Sequence, residues 1–215
     1  MLLHKKNIAN GAIIACWQVE ESVEELLLML GNDEELAQQI SQFGSEKRKL
    51  EFLATRVLLN VVLDDEKKIK YFPSGAPYLT DKSFNISIAH TGIYVTIILH
   101  PTKKVGIDIE KISEKAVRIK HKFLSEDEIN FVENSLEKTH LTLLWCAKEA
   151  LYKIIDTEII DFVADLRVMP FQPYLEGEIH ATETCTPKRK NYILHYYVEP
   201  EVCCVWTVES DKVKN

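Results

Sequence analysis

The sequence lacks an apolar run long enough to cross a membrane. Its longest mostly apolar runs, residues 57–63 and 95–99, are far shorter than the roughly 20 residues that a spanning helix requires. The first residues also lack the basic segment followed by an apolar one that marks a secretory signal. A soluble, cytoplasmic protein that does not bind membranes is therefore expected.

Cysteine is present, but not in a pattern that indicates a metal or redox site. None of the five cysteines forms a C-x-x-C pair, and Cys203 and Cys204 lie next to each other in an apolar run. An odd number of cysteines without such pairs is typical of a reduced, intracellular protein. We therefore expect buried thiols and no zinc site.

An excess of positive charge is also missing. The chain has 26 lysines and arginines against 33 aspartates and glutamates, a net charge of −7. Binding to nucleic acid depends on a basic face that neutralises phosphates, so no nucleic-acid partner is expected. A local basic pocket for a phosphorylated small molecule is compatible with this balance.

The hydrophobic pattern predicts an α+β fold. A strand is expected at residues 12–19, an amphipathic helix at 50–62, a loop at 71–78, and helices from residue 125 and over 141–155. Three strand-like runs at residues 85–89, 94–99 and 105–110 have short connections, which favours an antiparallel meander. Residues 192–198 and 202–208 indicate a hairpin. A division near residues 101–104 gives two domains, 1–103 and 104–215, each with a small sheet and a helix.

The motif Gly106-Ile-Asp-Ile-Glu110 is the first candidate for chemistry. On a strand, alternate residues share a face, so Ile107 and Ile109 would enter the core while Asp108 and Glu110 project together. Two adjacent carboxylates repel each other unless a cation lies between them, and Mg²⁺ prefers such oxygen ligands. The alternative is a strand with an ordinary solvated face, and the pattern alone favours that alternative.

The helix predicted over residues 141–155 carries the second candidate group. Lys148 lies on its apolar stripe, while Glu149 and Lys153 lie four residues apart on an adjacent face. In one interpretation, Glu149 binds the metal and the two lysines bind phosphate. In the other, Glu149 and Lys153 form a surface ion pair, and Lys148 extends its charge to water. His90 at a strand end and Lys47 in a basic run are further candidates, with structural and solvated alternatives.

Five segments together resemble the phosphopantetheinyl transferase superfamily, in its longer, surfactin-synthetase-type class. They are residues 47–56, the loop Gly75-Ala-Pro77, residues 85–90, the G-I-D-I-E motif, and W-C-A-K-E-A-L-Y-K at residues 145–153. The last two are specific as a pair. The resemblance implies a fold of two similar α+β halves that form an intramolecular pseudo-dimer, so a monomer is expected.

The resemblance also implies the reaction and the roles of individual residues. A holo-[acyl-carrier-protein] synthase would transfer phosphopantetheine from coenzyme A to a serine of an apo acyl or peptidyl carrier protein, as in fatty acid biosynthesis, and release adenosine 3′,5′-bisphosphate. Asp108, Glu110 and Glu149 would hold Mg²⁺. The implied catalytic residues are Glu149, Lys153 and Asp108, and the implied coenzyme A contacts are Lys47, Ser74, Gly75, Ala89, His90, Lys148 and Lys153.

Two residues depart from the family pattern. Ala76 stands where the family usually has lysine, and Ala89 where it usually has serine. These departures keep open a catalytically impaired homologue that binds coenzyme A or a carrier. A magnesium-dependent phosphohydrolase with the same carboxylates is another alternative.

Overall fold

The computed structural model describes residues 1–8, 11–155 and 159–210. Its contacts divide the chain into two compact units, Met1–Thr102 and Lys103–Asn215. Each unit combines helices with antiparallel strands, so the predicted α+β class is confirmed. The domain boundaries at residue 103 and the pseudo-dimer stay predictions.

The first unit is built on an antiparallel sheet. Its strands are β1 (Leu2–Asn7), β2 (Ile13–Gln18), β3 (Ile69–Tyr71), β4 (Pro77–Leu79), β5 (Asn85–Thr91) and β6 (Tyr94–His100). Its helices are α1 (Val23–Met29), α2 (Glu34–Ser41) and α3 (Glu46–Leu63). Four strands pair in the order β1-β2-β6-β5, while β3 and β4 form a separate hairpin.

Helix α3 covers this sheet because its sequence provides a broad apolar face. It packs on β2 and β6, and Leu53, Val57 and Leu58 are almost fully buried there. Each fully buried aliphatic side chain of this size contributes about 1.5–3 kcal/mol. The predicted amphipathic helix over residues 50–62 is therefore confirmed, and it extends one turn further toward the N-terminus.

The second unit has a five-stranded antiparallel sheet. Its strands are β7 (Val105–Lys111), β8 (Leu166–Val168), β9 (Glu176–Glu183), β10 (Asn191–Val198) and β11 (Val202–Val208). Its helices are α4 (Glu114–Ile119), α5 (Glu126–Asn130) and α6 (Glu137–Ile154), with short 3₁₀ turns at Lys120–Lys122 and Asn134–Leu136. The strand order is β7-β11-β10-β9-β8, and α6 packs mainly on β7 and β11. Within the described ranges, no helix is both long and apolar enough to span a membrane.

The structure confirms some local predictions and corrects others. Ser125 and Glu128 form the predicted capping box of α5, and β10 and β11 form the predicted hairpin. The predicted meander is wrong in its third strand, because β7 pairs with β11 and not with β6. Residues 72–76 of the predicted loop at 71–78 form the turn between β3 and β4, with Gly75 at φ 86°, while Tyr71, Pro77 and Tyr78 belong to the two strands. Alternation defines the faces of a strand, but it does not identify the strand that pairs with it.

Gly106 allows β7 and α6 to approach closely. A Cβ atom on this residue would lie 2.1 Å from the carbonyl oxygen of Ala150 and 3.4 Å from Cβ of Ile154. Backbone atoms cannot rotate out of the way as a flexible side chain can. Glycine is therefore required here by packing, and it brings the carboxylates of β7 next to the second half of α6.

We expect Gly106→Ala to lower the free energy of unfolding by about 2–3 kcal/mol, because overpacking forces the strand and the helix apart. Urea unfolding followed by circular dichroism measures this change. Gly44→Ala is the matched control, since a Cβ at Gly44 meets nothing within 4 Å. Equal stability of the two variants would contradict the packing argument.

Candidate active site

The second unit brings together the charged residues of the two sequence motifs. Asp108 and Glu110 lie on the face of β7 that carries Gly106, and this face is covered by α6. Ile107 and Ile109 are buried as predicted. Asp108 is buried as well, at 7% exposure, so it does not project from a solvated face. The reason is that α6 packs over the side of the strand on which Asp108 lies.

Asp108 has one partnered and one unpartnered oxygen. Its Oδ1 accepts a hydrogen bond from Nζ of Lys153 at 2.8 Å, while its buried Oδ2 has no hydrogen-bond partner among the described residues. Burial raises the pKa of Asp108, although the charge of Lys153 acts in the opposite direction. A buried carboxylate oxygen without a donor is costly, and a bound cation would offset that cost.

Lys153 does not pair with Glu149 as an exposed helix pair would. Its ammonium donates to Oδ1 of Asp108 and to the carbonyl oxygen of Ile107, each at 2.8 Å. The side chain is 26% exposed. Lys153 therefore ties α6 to β7 and places a positive charge beside the carboxylates.

Glu149 titrates near neutral pH in the metal-free protein. Burial raises its pKa to about 7, and the negative charge of Asp108 adds to this effect. Lys153 and Lys115 lower the pKa by a smaller amount. A carboxyl group with such a pKa can both accept and release a proton in neutral solution.

Glu110 is paired with a residue that the sequence reasoning missed. Nζ of Lys115, in the first turn of α4, lies 2.8 Å from Oε1 of Glu110. This hydrogen bond raises the pKa of Lys115. The signal in the sequence was a basic residue five positions after Glu110, but a spacing of five across a strand end does not predict a contact.

The chemistry of these side chains fits a magnesium ion. Asp108, Glu110 and Glu149 offer the hard oxygen ligands that Mg²⁺ prefers, and Oδ2 of Asp108 needs a partner. Within the described part of the chain, however, no three such side chains are gathered closely enough to form a coordination group. Lys153 and Lys115 neutralise Asp108 and Glu110 instead. The three side chains are thus of the kind that binds Mg²⁺, and lysines contact two of them.

Lys148 lies in an environment that neither sequence interpretation anticipated. It has no exposed surface, and Nζ donates to Oε2 of Glu128 and to the carbonyl oxygens of Phe162 and Leu166 at 2.7–2.8 Å. The implied contact with pyrophosphate is not available in this arrangement, because all three donor positions of the ammonium are used. The alternative, in which Lys148 extends its charge to water, is wrong as well, because the side chain has no exposed surface.

Glu128 completes this buried pair. Its Oε1 accepts from the backbone N–H of Val168, and its Oε2 accepts from the N–H of Ser125 in the capping box. The S-x-x-E pattern identified Glu128 as a capping residue, but it gave no sign of the lysine 20 positions later. The pair connects α5, α6 and β8.

The first unit contains the remaining predicted ligand contacts. Nδ1 of His90 lies 3.2 Å from Oε1 of Glu51, a buried carboxylate on α3 that also pairs with Lys47 at 3.5 Å and Arg48 at 3.7 Å. Glu51 therefore gathers Lys47, Arg48 and His90 at one place. Sequence reasoning missed Glu51, although its helical spacing from Lys47 and Arg48 is the relevant signal.

The other predicted contacts in this unit differ in exposure. Ser74 and Gly75 lie on the exposed turn between β3 and β4. Ala89 is only 5% exposed and pairs with Thr96 in the sheet. A hydroxyl at this position would be largely buried, whereas a side chain at position 76 is exposed.

Comparisons with known proteins agree with the two motifs. A model of the 4'-phosphopantetheinyl transferase superfamily matches residues 104–206. The chain is also similar to 4'-phosphopantetheinyl transferase gsp of Aneurinibacillus migulanus, with 31% identity over 111 residues. That alignment covers 49% of this chain and 46% of the relative, so it spans less than half of the relative's length. Residues 104–206, just under half of the chain, are thus similar to the 4'-phosphopantetheinyl transferase superfamily.

Proposed function

We propose that this protein is a surfactin-synthetase-type phosphopantetheinyl transferase that acts as a holo-[acyl-carrier-protein] synthase. It transfers phosphopantetheine from coenzyme A to a serine of an apo acyl or peptidyl carrier protein and depends on Mg²⁺. The unpartnered buried oxygen of Asp108 beside Glu149 and Lys153 carries this proposal. A solvated strand face, which the pattern alone favoured, would not bury a carboxylate without a donor.

The proposed metal ligands are Asp108, Glu110 and Glu149. Bound Mg²⁺ would supply a fixed positive charge that offsets the negative charge of the pyrophosphate and of the leaving group. Lys153 adds a second positive charge at the same place and is held there by two acceptors. Such a preorganised charge stabilises a transition state more than a mobile one does.

The transfer step forms one bond and breaks one. The serine oxygen of the carrier attacks the phosphorus that bears the pantetheine arm, and the bond from that phosphorus to the oxygen of adenosine 3′,5′-bisphosphate breaks. We propose that Glu149 takes the proton of the serine hydroxyl, directly or through a water molecule. Burial and the charge of Asp108 raise the pKa of Glu149, whereas a bound cation would lower it, so Glu149 is proposed as the base for its place among the carboxylates.

The proposed coenzyme A contacts are reduced by one residue. Lys153 faces the pyrophosphate, Lys47 and His90 contact the ribose phosphate, Ala89 borders the same phosphate next to His90, and Ser74 and Gly75 border the adenine. The grouping of Lys47 and His90 around Glu51 supports their shared role. We leave Lys148 out of the ligand set, because its ammonium is buried and has three acceptors within the protein.

The direct test is a change in the mass of the carrier. The protein is mixed with coenzyme A, Mg²⁺ and an apo acyl or apo peptidyl carrier protein, and the carrier is weighed by intact-mass spectrometry. We expect a gain of one phosphopantetheine, which disappears with a chelator and with a carrier whose acceptor serine is replaced by alanine.

Two other outcomes would contradict the proposal. Release of adenosine 3′,5′-bisphosphate from coenzyme A without any carrier would indicate the phosphohydrolase alternative. Coenzyme A binding without a mass gain on either kind of carrier would indicate the impaired homologue. In that case Ala76→Lys is the first reversion to test, since Ala76 lies on an exposed turn.

A further inference from the structure

Lys115 is held against the proposed metal site by local structure. The chain leaves β7 at Lys111 and enters α4, where the side chain of Ser113 caps the N–H of Lys115. This short connection places Lys115 in the first helical turn, and its ammonium reaches Glu110 at 2.8 Å. The same ammonium lies 5.8 Å from the ring centre of Trp145, four residues before Glu149 on α6.

The position of Lys115 makes it a counter-charge to the whole carboxylate group. The hydrogen bond to Glu110 raises its pKa most, and the charges of Asp108 and Glu149 raise it further. Lys115 therefore interacts with the same three residues that are proposed to hold the ion. A divalent cation and an ammonium at this place repel each other, so each weakens the binding of the other.

Lys115 differs from Lys153 in how firmly it is held. Lys153 has two acceptors and is 26% exposed, whereas the ammonium of Lys115 has one acceptor within the described ranges and its side chain is 55% exposed. A shallow surface hollow adjoins Lys115 and is lined in part by Ile119, Thr142 and Trp145. Because more than half of the Lys115 side chain is exposed, its ammonium has room to leave Glu110.

We propose that Lys115 is a displaceable counter-ion that neutralises Glu110 in the metal-free protein and leaves when the ion binds. This inference rests on the proposed function, because it assumes that Glu110 is a metal ligand. Its consequence is that Lys115 weakens the affinity of the site for Mg²⁺. When no ion is present, Lys115 also compensates part of the negative charge of the carboxylate group.

The first test is the affinity for Mg²⁺ measured by isothermal titration calorimetry without coenzyme A or carrier. We expect Lys115→Met to bind Mg²⁺ roughly 5- to 20-fold more tightly than the wild type, because one competing charge is gone. Lys122→Met is the matched control. It removes the same charge from an exposed position in the neighbouring 3₁₀ turn and should change the affinity by less than about twofold.

The second test uses the reciprocity of the two binding events. Wild-type protein is acetylated with a limiting amount of an amine-reactive reagent, once with Mg²⁺ and once without it. The labelling of individual lysines is quantified by peptide mass spectrometry. Mg²⁺ should increase the labelling rate of Lys115 severalfold and leave that of Lys122 unchanged. Thermal unfolding of both methionine variants shows whether each is folded.

The outcomes separate this inference from the proposed function. Equal Mg²⁺ affinity in Lys115→Met and wild type, or labelling of Lys115 that does not respond to Mg²⁺, would overturn the counter-ion role alone. If neither protein binds Mg²⁺ or Mn²⁺, the metal site itself is wrong, and the inference falls with it. Tighter binding in Lys122→Met as well would indicate a general effect of net charge and would overturn the specific role of Lys115.

Discussion

Lys148→Met is expected to lower the free energy of unfolding by about 3–5 kcal/mol, since removal of one partner of a buried ion pair leaves the other charge uncompensated. Glu128, at 1% exposure, would lose its positive partner, and the carbonyl oxygens of Phe162 and Leu166 would lose their donor. Chemical unfolding with urea, followed by fluorescence and circular dichroism, measures the loss. Burial lowers the pKa of Lys148, but three acceptors compensate its charge.

A second variant distinguishes the ion pair from the loss of packing alone. In Lys148→Met with Glu128→Gln, the single amide oxygen of the glutamine can still accept from the N–H of Val168 or from that of Ser125, and no unpaired charge remains. We expect the double variant to regain a substantial part of the lost stability, which a double-mutant cycle quantifies. Normal stability of Lys148→Met together with a raised KM for coenzyme A would instead support the pyrophosphate contact that the family resemblance implied.

Asp108→Asn is expected to reduce carrier modification on the order of 10³-fold, because it removes a proposed metal ligand and the charge that holds the ion. Initial rates of mass gain on the carrier measure this effect. Stability should change by less than about 1 kcal/mol, since burial of the charged carboxylate is itself unfavourable. Burial raises the pKa of Asp108, and Lys153 keeps its bond to the carbonyl oxygen of Ile107.

Asp127→Asn is the matched control for this prediction. Asp127 lies in the same unit and forms an exposed pair with Arg167 at 3.2 Å. Surface pairs of this kind contribute little, so both rate and stability should stay near those of the wild type. An Asp108→Asn variant that keeps more than a tenth of the activity would rule out an essential metal ligand at this position.

The sequence by itself determined the α+β class and most of the long elements. The apolar spacing over residues 50–62 predicted α3, the S-x-x-E pattern predicted the start of α5, and the two C-terminal strand-like runs predicted the hairpin of β10 and β11. These features depend on residues close together in the chain, so local spacing is sufficient to reveal them. The paired motifs at residues 106–110 and 145–153 likewise indicated the family.

Only the tertiary structure decided the partners of those elements and of the charged residues. The pairing of β7 with β11, the burial of Asp108 under α6 and the enclosure of Lys148 by Glu128, Phe162 and Leu166 all join segments far apart in sequence. The contact between Lys115 and Glu110 depends on the angle at which α4 leaves the strand. A sequence pattern shows which face of an element is apolar or charged. What packs against that face is set by close packing and by the need to compensate each buried charge.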